Sequence, residues 1–150
     1  MARYDLHTQA LPPDQQQSTQ RIFTLGYADS LGVAGFQMLI NMWLRIFFTR
    51  RGSDPTNLNR GTSFTNLIGS TTSLIDAEDT VRTSIDECNE QVQDIQARDQ
   101  SLAARERFAD AQLIRYTNDP SAPGFEMWVE ITNTSGERLQ VNIPDFAYRQ

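Results

Sequence analysis

Few side chains in this sequence could carry covalent or acid-base chemistry, and their types narrow the choice before any fold is considered. There is one imidazole, His7, in a polar N-terminal stretch, and one thiol, Cys88, inside a helical pattern. One of each cannot build a zinc site of the usual Cys/His kind or an internal disulfide. A Ser-His triad would require the stretch bearing His7 to fold back onto the rest of the chain. All 13 basic residues are Arg, and Lys does not occur. A P-loop, a kinase-type ATP site and a Schiff-base enzyme each use a Lys amine, so their usual forms are excluded.

Carboxylates are plentiful at Glu78, Asp79, Asp86, Glu87, Glu90 and Asp94. All fall on the polar faces of one predicted helix, where solvated acids are the ordinary state. Glycoside hydrolysis needs two acids facing each other with one in an apolar setting, and no such pair is recognisable. Cys88 reads as a small apolar seam residue, because no basic group is fixed beside it to lower its pKa. The arginines at Arg50, Arg51, Arg105, Arg107 and Arg115 flank predicted element ends. A guanidinium makes planar, two-pronged contacts to carboxylates and tolerates interface burial, so these residues suit binding to another protein. No metal or cofactor site is expected.

The elements that must position these groups follow from periodicity. Residues 1–20 are polar, with Pro12-Pro13 and Gln15 to Gln17, and read as an extended arm; residues 21–150 read as one domain. Arg21 to Tyr27 alternates loosely and suggests an edge strand. Asp29 or Ser30 can cap a first helix over Leu31 to Phe48, whose polar residues Gln37, Asn41 and Arg45 form one stripe on an otherwise apolar cylinder. That stripe and two glycines argue for a helix buried in protein rather than a membrane span. Arg50-Arg51, Gly52 and Pro55 should end it, with Gly52 at the C-cap. A short helix over Gly61 to Ile68 is expected next. Ser73 and Asp76 suggest a capping pair for a second long helix, Leu74 to about Arg98. Its apolar seam is Val81, Ile85, Cys88, Val92 and Ile95, narrow enough to serve as an interhelical contact. The period then changes to two, predicting strands at Ala111–Thr117, Phe125–Thr132 and Arg138–Ile143. The fold class is therefore α+β, two main helices packed on a small C-terminal antiparallel sheet.

Charge sets limits on partners. A net charge of -6 offers no basic footprint for nucleic acid. The N-terminal sequence lacks the pattern of a secretory leader, and the lone Cys fits a reducing compartment. Asn133-Thr134-Ser135 matches a glycosylation sequon and reads as chance in that setting.

The run Gly32-Val33-Ala34-Gly35-Phe36-Gln37-Met38-Leu39-Ile40-Asn41, then Trp43-Leu44, Phe48-Thr49, Gly52-Ser53-Asp54-Pro55 and Gly61-Thr62-Ser63-Phe64, resembles the small baseplate wedge proteins of contractile-tailed phages. This lysozyme-like family includes the sheath-initiator subunit and its type VI secretion counterpart. The resemblance covers about residues 20 to 144. It implies a structural, non-enzymatic protein of the virion tail baseplate, assembled in the host cytoplasm. The implied partners are a helical bundle of larger wedge subunits and the tail sheath protein, with the tube or central hub as further candidates. Many members carry Glu-Pro-Arg before the first C-terminal strand, implicated in docking on the bundle. Here the matching residues are Arg105-Glu106-Arg107-Phe108, without the Pro. The resemblance thus points to Glu106 and Arg107 as partner-binding residues, beside Arg50 and Arg51. The alternatives are a peptidoglycan-cleaving tail enzyme and a type VI secretion baseplate subunit.

Overall fold

A computed structural model describes residues 35–67, 74–118 and 125–143. The expected arm with His7, the Arg21–Tyr27 strand, the caps at Asp29, Ser30 and Ser73, and the C-terminal tail lie outside them. Two helices come first, α1 (Phe36–Phe48) and α2 (Leu74–Ala97), then three strands, β1 (Phe108–Asn118), β2 (Phe125–Asn133) and β3 (Arg138–Ile143). The strands form one antiparallel sheet in the order β1-β2-β3. This is the expected α+β arrangement.

Alternation builds the sheet. Phe125, Met127, Val129 and Ile131 of β2 are buried on one face, and Leu139, Val141 and Ile143 of β3 join them through the pairs Ile131↔Leu139, Val129↔Val141 and Met127↔Ile143. The other face carries Glu126, Glu130, Gln140 and Asn142, tied across the strands by Asn142 to Glu126 at 2.9 Å and Gln140 to Glu130 at 3.3 Å. β1 begins three residues before its predicted start. Its register shifts between Phe108 and Asp110 and again between Leu113 and Arg115. Each bulge adds a residue and breaks the two-residue period, which is why the sequence signal is confined to part of this strand.

α1 supplies the centre of the core. Leu39, Ile40, Trp43, Leu44, Ile46 and Phe47 are buried, as is Asn41 within the polar stripe, where it accepts a hydrogen bond from the Gln37 amide at 3.0 Å. The Trp43 and Phe47 rings stack at 4.8 Å, Phe47 meets Phe64 at 4.5 Å, and Phe64 meets Phe125 edge-on at 6.0 Å. This aromatic file runs from α1 to the sheet, and each such pair adds about 0.5–1.5 kcal/mol beyond area burial. No helix among the described residues is long and apolar enough to cross a membrane.

Three expectations change. α1 begins after Gly35, whose φ of +67° is incompatible with helix, so the described helix is shorter than the Leu31–Phe48 pattern. Gly52 does not cap it. Thr49 does, in an extended conformation, and Gly52 instead turns the chain within the Arg50–Ser53 turn. The helix expected over Gly61–Ile68 is, in the described residues, a single 3-10 turn, Phe64–Asn66.

Candidate functional site

Two polar assemblies organise the residues singled out in the sequence. The first is the corner Ala104–Phe108, which joins α2 to β1. Gln96, buried at the end of α2, donates its amide to the Glu106 carbonyl at 2.8 Å and accepts the Phe108 N–H at 2.6 Å. From the β2–β3 turn, Asn133 donates to the Arg105 carbonyl at 3.1 Å, while Thr134 donates its N–H to the Arg107 carbonyl and its hydroxyl to the Ala104 carbonyl, both at 2.9 Å. The Arg105 guanidinium closes on Glu137 at 2.7 Å. The backbone of this corner is thereby fixed from both sides.

On that fixed backbone the two expected docking residues differ. Glu106 is half-buried, and its carboxylate accepts the Gly35 N–H at 3.1 Å, so it ties the corner to the start of α1. Arg107 is exposed and makes only long donations to the Gln100 and Leu102 carbonyls, at 3.5 and 3.3 Å. Asn133, the sequon residue, is buried with its amide engaged on Arg105, Ser135 and Glu137.

Glu137 is the acid partner of Arg105 at this corner. Its carboxyl lies below its ordinary value of 4.5, first because Arg105 donates to it and then because Asn133 does; the same pairing raises Arg105. A carboxyl depressed on folding stabilises the fold above its unfolded pKa, and that contribution disappears as pH falls through the folded value. The thermal stability of the wild type should therefore fall below pH 4.5 more steeply than that of Glu137→Gln. Parallel melts at stepped pH check this, and identical slopes would refute it.

The second assembly is the loop from Thr49 to Ser63. α1 leaves its last carbonyls to be satisfied, and the loop does so: the Thr49 hydroxyl donates to Arg45 O at 2.6 Å, and the buried Thr62 hydroxyl to Phe47 O at 2.7 Å. Thr62 N–H returns to Thr49 O at 2.9 Å, within an isolated bridge between Arg50 and Thr62. α2 then grips the closing end. Gln91 pairs with both backbone groups of Gly61 at 2.8 Å, and Glu87 accepts from Ser63 N–H at 2.9 Å. Arg51 pairs with Glu87 at 3.0 Å, whereas Arg50 is exposed with no side-chain partner among the described residues.

The four candidate residues thus form two pairs, not one patch. Glu106 and Arg107 stand at the N-terminal end of α1 and Arg50 and Arg51 beyond its C-terminal end, separated by a helix of 13 residues, about 20 Å at 1.5 Å per residue. The α2 seam is spent inside the chain. Val81, Ile85, Cys88 and Val92 are buried in the core, so they offer no interhelical contact to a partner, while Ile95, the fifth seam position, is 43% exposed. Gln96 takes its place facing inward because the backbone of the corner needs an amide there. The Cys88 thiol donates to the Trp43 carbonyl at 3.3 Å, and burial pushes its pKa well up, which keeps it protonated.

Glu87, Asn89, Gln91 and Gln96 were not singled out for these roles in the sequence. Asn89 accepts the Trp43 indole N–H at 2.9 Å and donates to the Ala111 carbonyl at 2.8 Å, joining both helices to β1. Among the described residues no group of three His, Cys, Asp or Glu side chains is placed to hold a metal ion. No protein-family model matches the chain, and no curated protein matches it.

Proposed function

We propose that this chain is a structural, non-enzymatic subunit of a contractile-tail baseplate wedge, docking on a helical bundle of larger wedge subunits and linking the baseplate to the first sheath ring. The observation that carries the reading is the rigid Ala104–Phe108 corner with the Arg107 guanidinium exposed on it. A fixed backbone presenting an exposed guanidinium, held only by long contacts to the Gln100 and Leu102 carbonyls, is suited to charge-assisted, two-pronged contact with a carboxylate or with helix-terminal carbonyls of a partner. The corner occupies the place that the resemblance gives to the Glu-Pro-Arg motif. Gln96 and Thr134 restrain its backbone without a proline, and Glu106 braces it against α1.

The sheet supports the second half of the reading. Among the described residues β1 and β3 are its edges, each paired with β2 alone. An edge strand with open backbone groups is the feature that strand addition from a sheath subunit requires.

Arg107→Glu tests the docking. The side chain is exposed, so the melting temperature should stay within about 2 °C of wild type, the usual range for a surface change. Affinity for the co-expressed larger wedge subunits should fall at least about tenfold, the loss expected of an interfacial guanidinium replaced by its opposite charge. Unchanged binding would remove Arg107 from the interface. Clearing of a peptidoglycan suspension by the purified chain, abolished by substituting one carboxylate, would overturn the non-enzymatic reading.

A further inference from the structure

The Thr49–Ser63 loop is built beyond what a connection requires. Its two ends are locked by Thr49, Thr62, Gln91 and Glu87, as described above, and its tip is locked separately. The Asp54 carboxylate accepts from Thr56 N–H and hydroxyl at 2.9 and 2.6 Å, Asn57 N–H returns to Asp54 O at 3.1 Å, and Arg60 N–H returns to Asn57 O at 3.0 Å. Asn59 N–H donates to the Asn57 side chain at 3.2 Å, and Arg60 lies 3.6 Å from Asp54. Between Asn57 and Asn59, Leu58 is 65% exposed, more than either other large apolar residue found at the surface of the described residues, Ile95 and Ile114. A bare leucine on a braced tip is a preorganised anchor: little conformational entropy remains to be lost when it enters a pocket.

Charge names the partner. Residues 49–63 hold three Arg against one Asp, and Glu87 of α2 pairs with Arg51, which leaves a local +1 in a chain of -6. Glu87 takes up Arg51, and Arg50 stays uncovered at the base of the loop. An acidic surface meets a net charge of its own sign in the chain as a whole, and the uncovered Arg50 offers it an opposite charge here.

We infer that this loop is a second docking element, about one α1 length from Arg107, which seats Leu58 in an apolar pocket rimmed by carboxylates on a wedge subunit. The inference rests on the wedge reading. It adds an anchor and a partner chemistry that Glu106 and Arg107 do not supply.

The test uses the full chain co-expressed with the larger wedge subunits, with the dissociation constant of the purified subunits measured for wild type, Leu58→Asp, Arg50→Glu and Arg107→Glu. Leu58→Asp should weaken binding at least about tenfold, as truncating an interface anchor does, with an unchanged melting temperature because the side chain is exposed. Arg50→Glu should give a smaller loss that shrinks as salt is raised. If wild type binds and Arg107→Glu weakens it while Leu58→Asp does not, the loop inference fails and the wedge reading stands. If wild type binds none of the subunits, the wedge reading fails and takes this inference with it. Concentration-dependent self-association of the chain alone, lost in Leu58→Asp, would also overturn it by making a second copy the occupant.

Discussion

Gly61→Ala is expected to destabilise the protein by about 3 kcal/mol or more, the sum of a strained left-handed backbone and a steric overlap with main chain. Gly61 has φ +103°, which L side chains rarely adopt, and a Cβ there would overlap the Thr49 carbonyl oxygen and come within 2.8 Å of Thr49 C and 2.9 Å of Arg50 C. Nothing in that contact is flexible. Relief requires the loop base to open, and opening breaks the Thr62 N–H to Thr49 O bond and the paired Gln91 contacts to Gly61. For a chain of this length the melting temperature should drop by about 10 °C. Gly52→Ala is the control. Gly52 also has positive φ, at +83°, but a Cβ there meets nothing within 4 Å, so only the conformational cost, about 1 kcal/mol, applies. Equal melting temperatures for the two variants would show that the close approach of Gly61 to Thr49 is not what holds the loop.

That contrast separates what the sequence reveals from what it hides. The β2–β3 pairing is legible because Val129, Ile131, Leu139, Val141 and Ile143 alternate strictly with polar residues, and one register buries them all. α2 is legible from Val81 to Val92 for the same reason at helical spacing. Periodicity assigns polar helix residues to solvent, and here it fails: Glu87, Asn89, Gln91 and Gln96 are the residues by which α2 holds the loop, the Trp43 indole, the β1 backbone and the Ala104–Phe108 corner. Their partners are main-chain groups and an indole supplied by segments distant in sequence, and side-chain pattern carries no record of these. Gly61 is a visible turn residue, but the need for glycine comes from Thr49, reached only when the chain has folded back. Likewise Glu106 and Arg107 are adjacent in the sequence and alike as candidates, yet the corner turns one toward Gly35 and leaves the other exposed. Arg50 and Arg51 are both exposed, and of the two it is Arg51 that pairs with Glu87.

Asn89→Ala should cost about 3 kcal/mol, although Asn89 lies on an outwardly polar helix and is only half-buried. The side chain serves two partners at once, the Trp43 indole N–H and the Ala111 carbonyl. Removing it takes the Asn89 hydrogen bond from the N–H of the wholly buried Trp43 and from the Ala111 carbonyl, each at about 1–3 kcal/mol. Asn89→Asp distinguishes the two losses: a carboxylate still accepts from the indole but cannot donate to Ala111 O, and it sets a negative charge against a carbonyl. Its stability should therefore lie no higher than that of the alanine variant despite retaining the indole contact. Trp43→Phe completes a double-mutant cycle, because in that background Asn89→Ala should lose only the Ala111 share, about half of its cost in the wild type. Denaturant melts of the four proteins give the coupling energy directly. A cost of Asn89→Ala that is the same with Trp or Phe at position 43 would mean that the indole bond contributes nothing net. α1 would then be held to α2 by the apolar packing of their shared core and the Cys88–Trp43 contact.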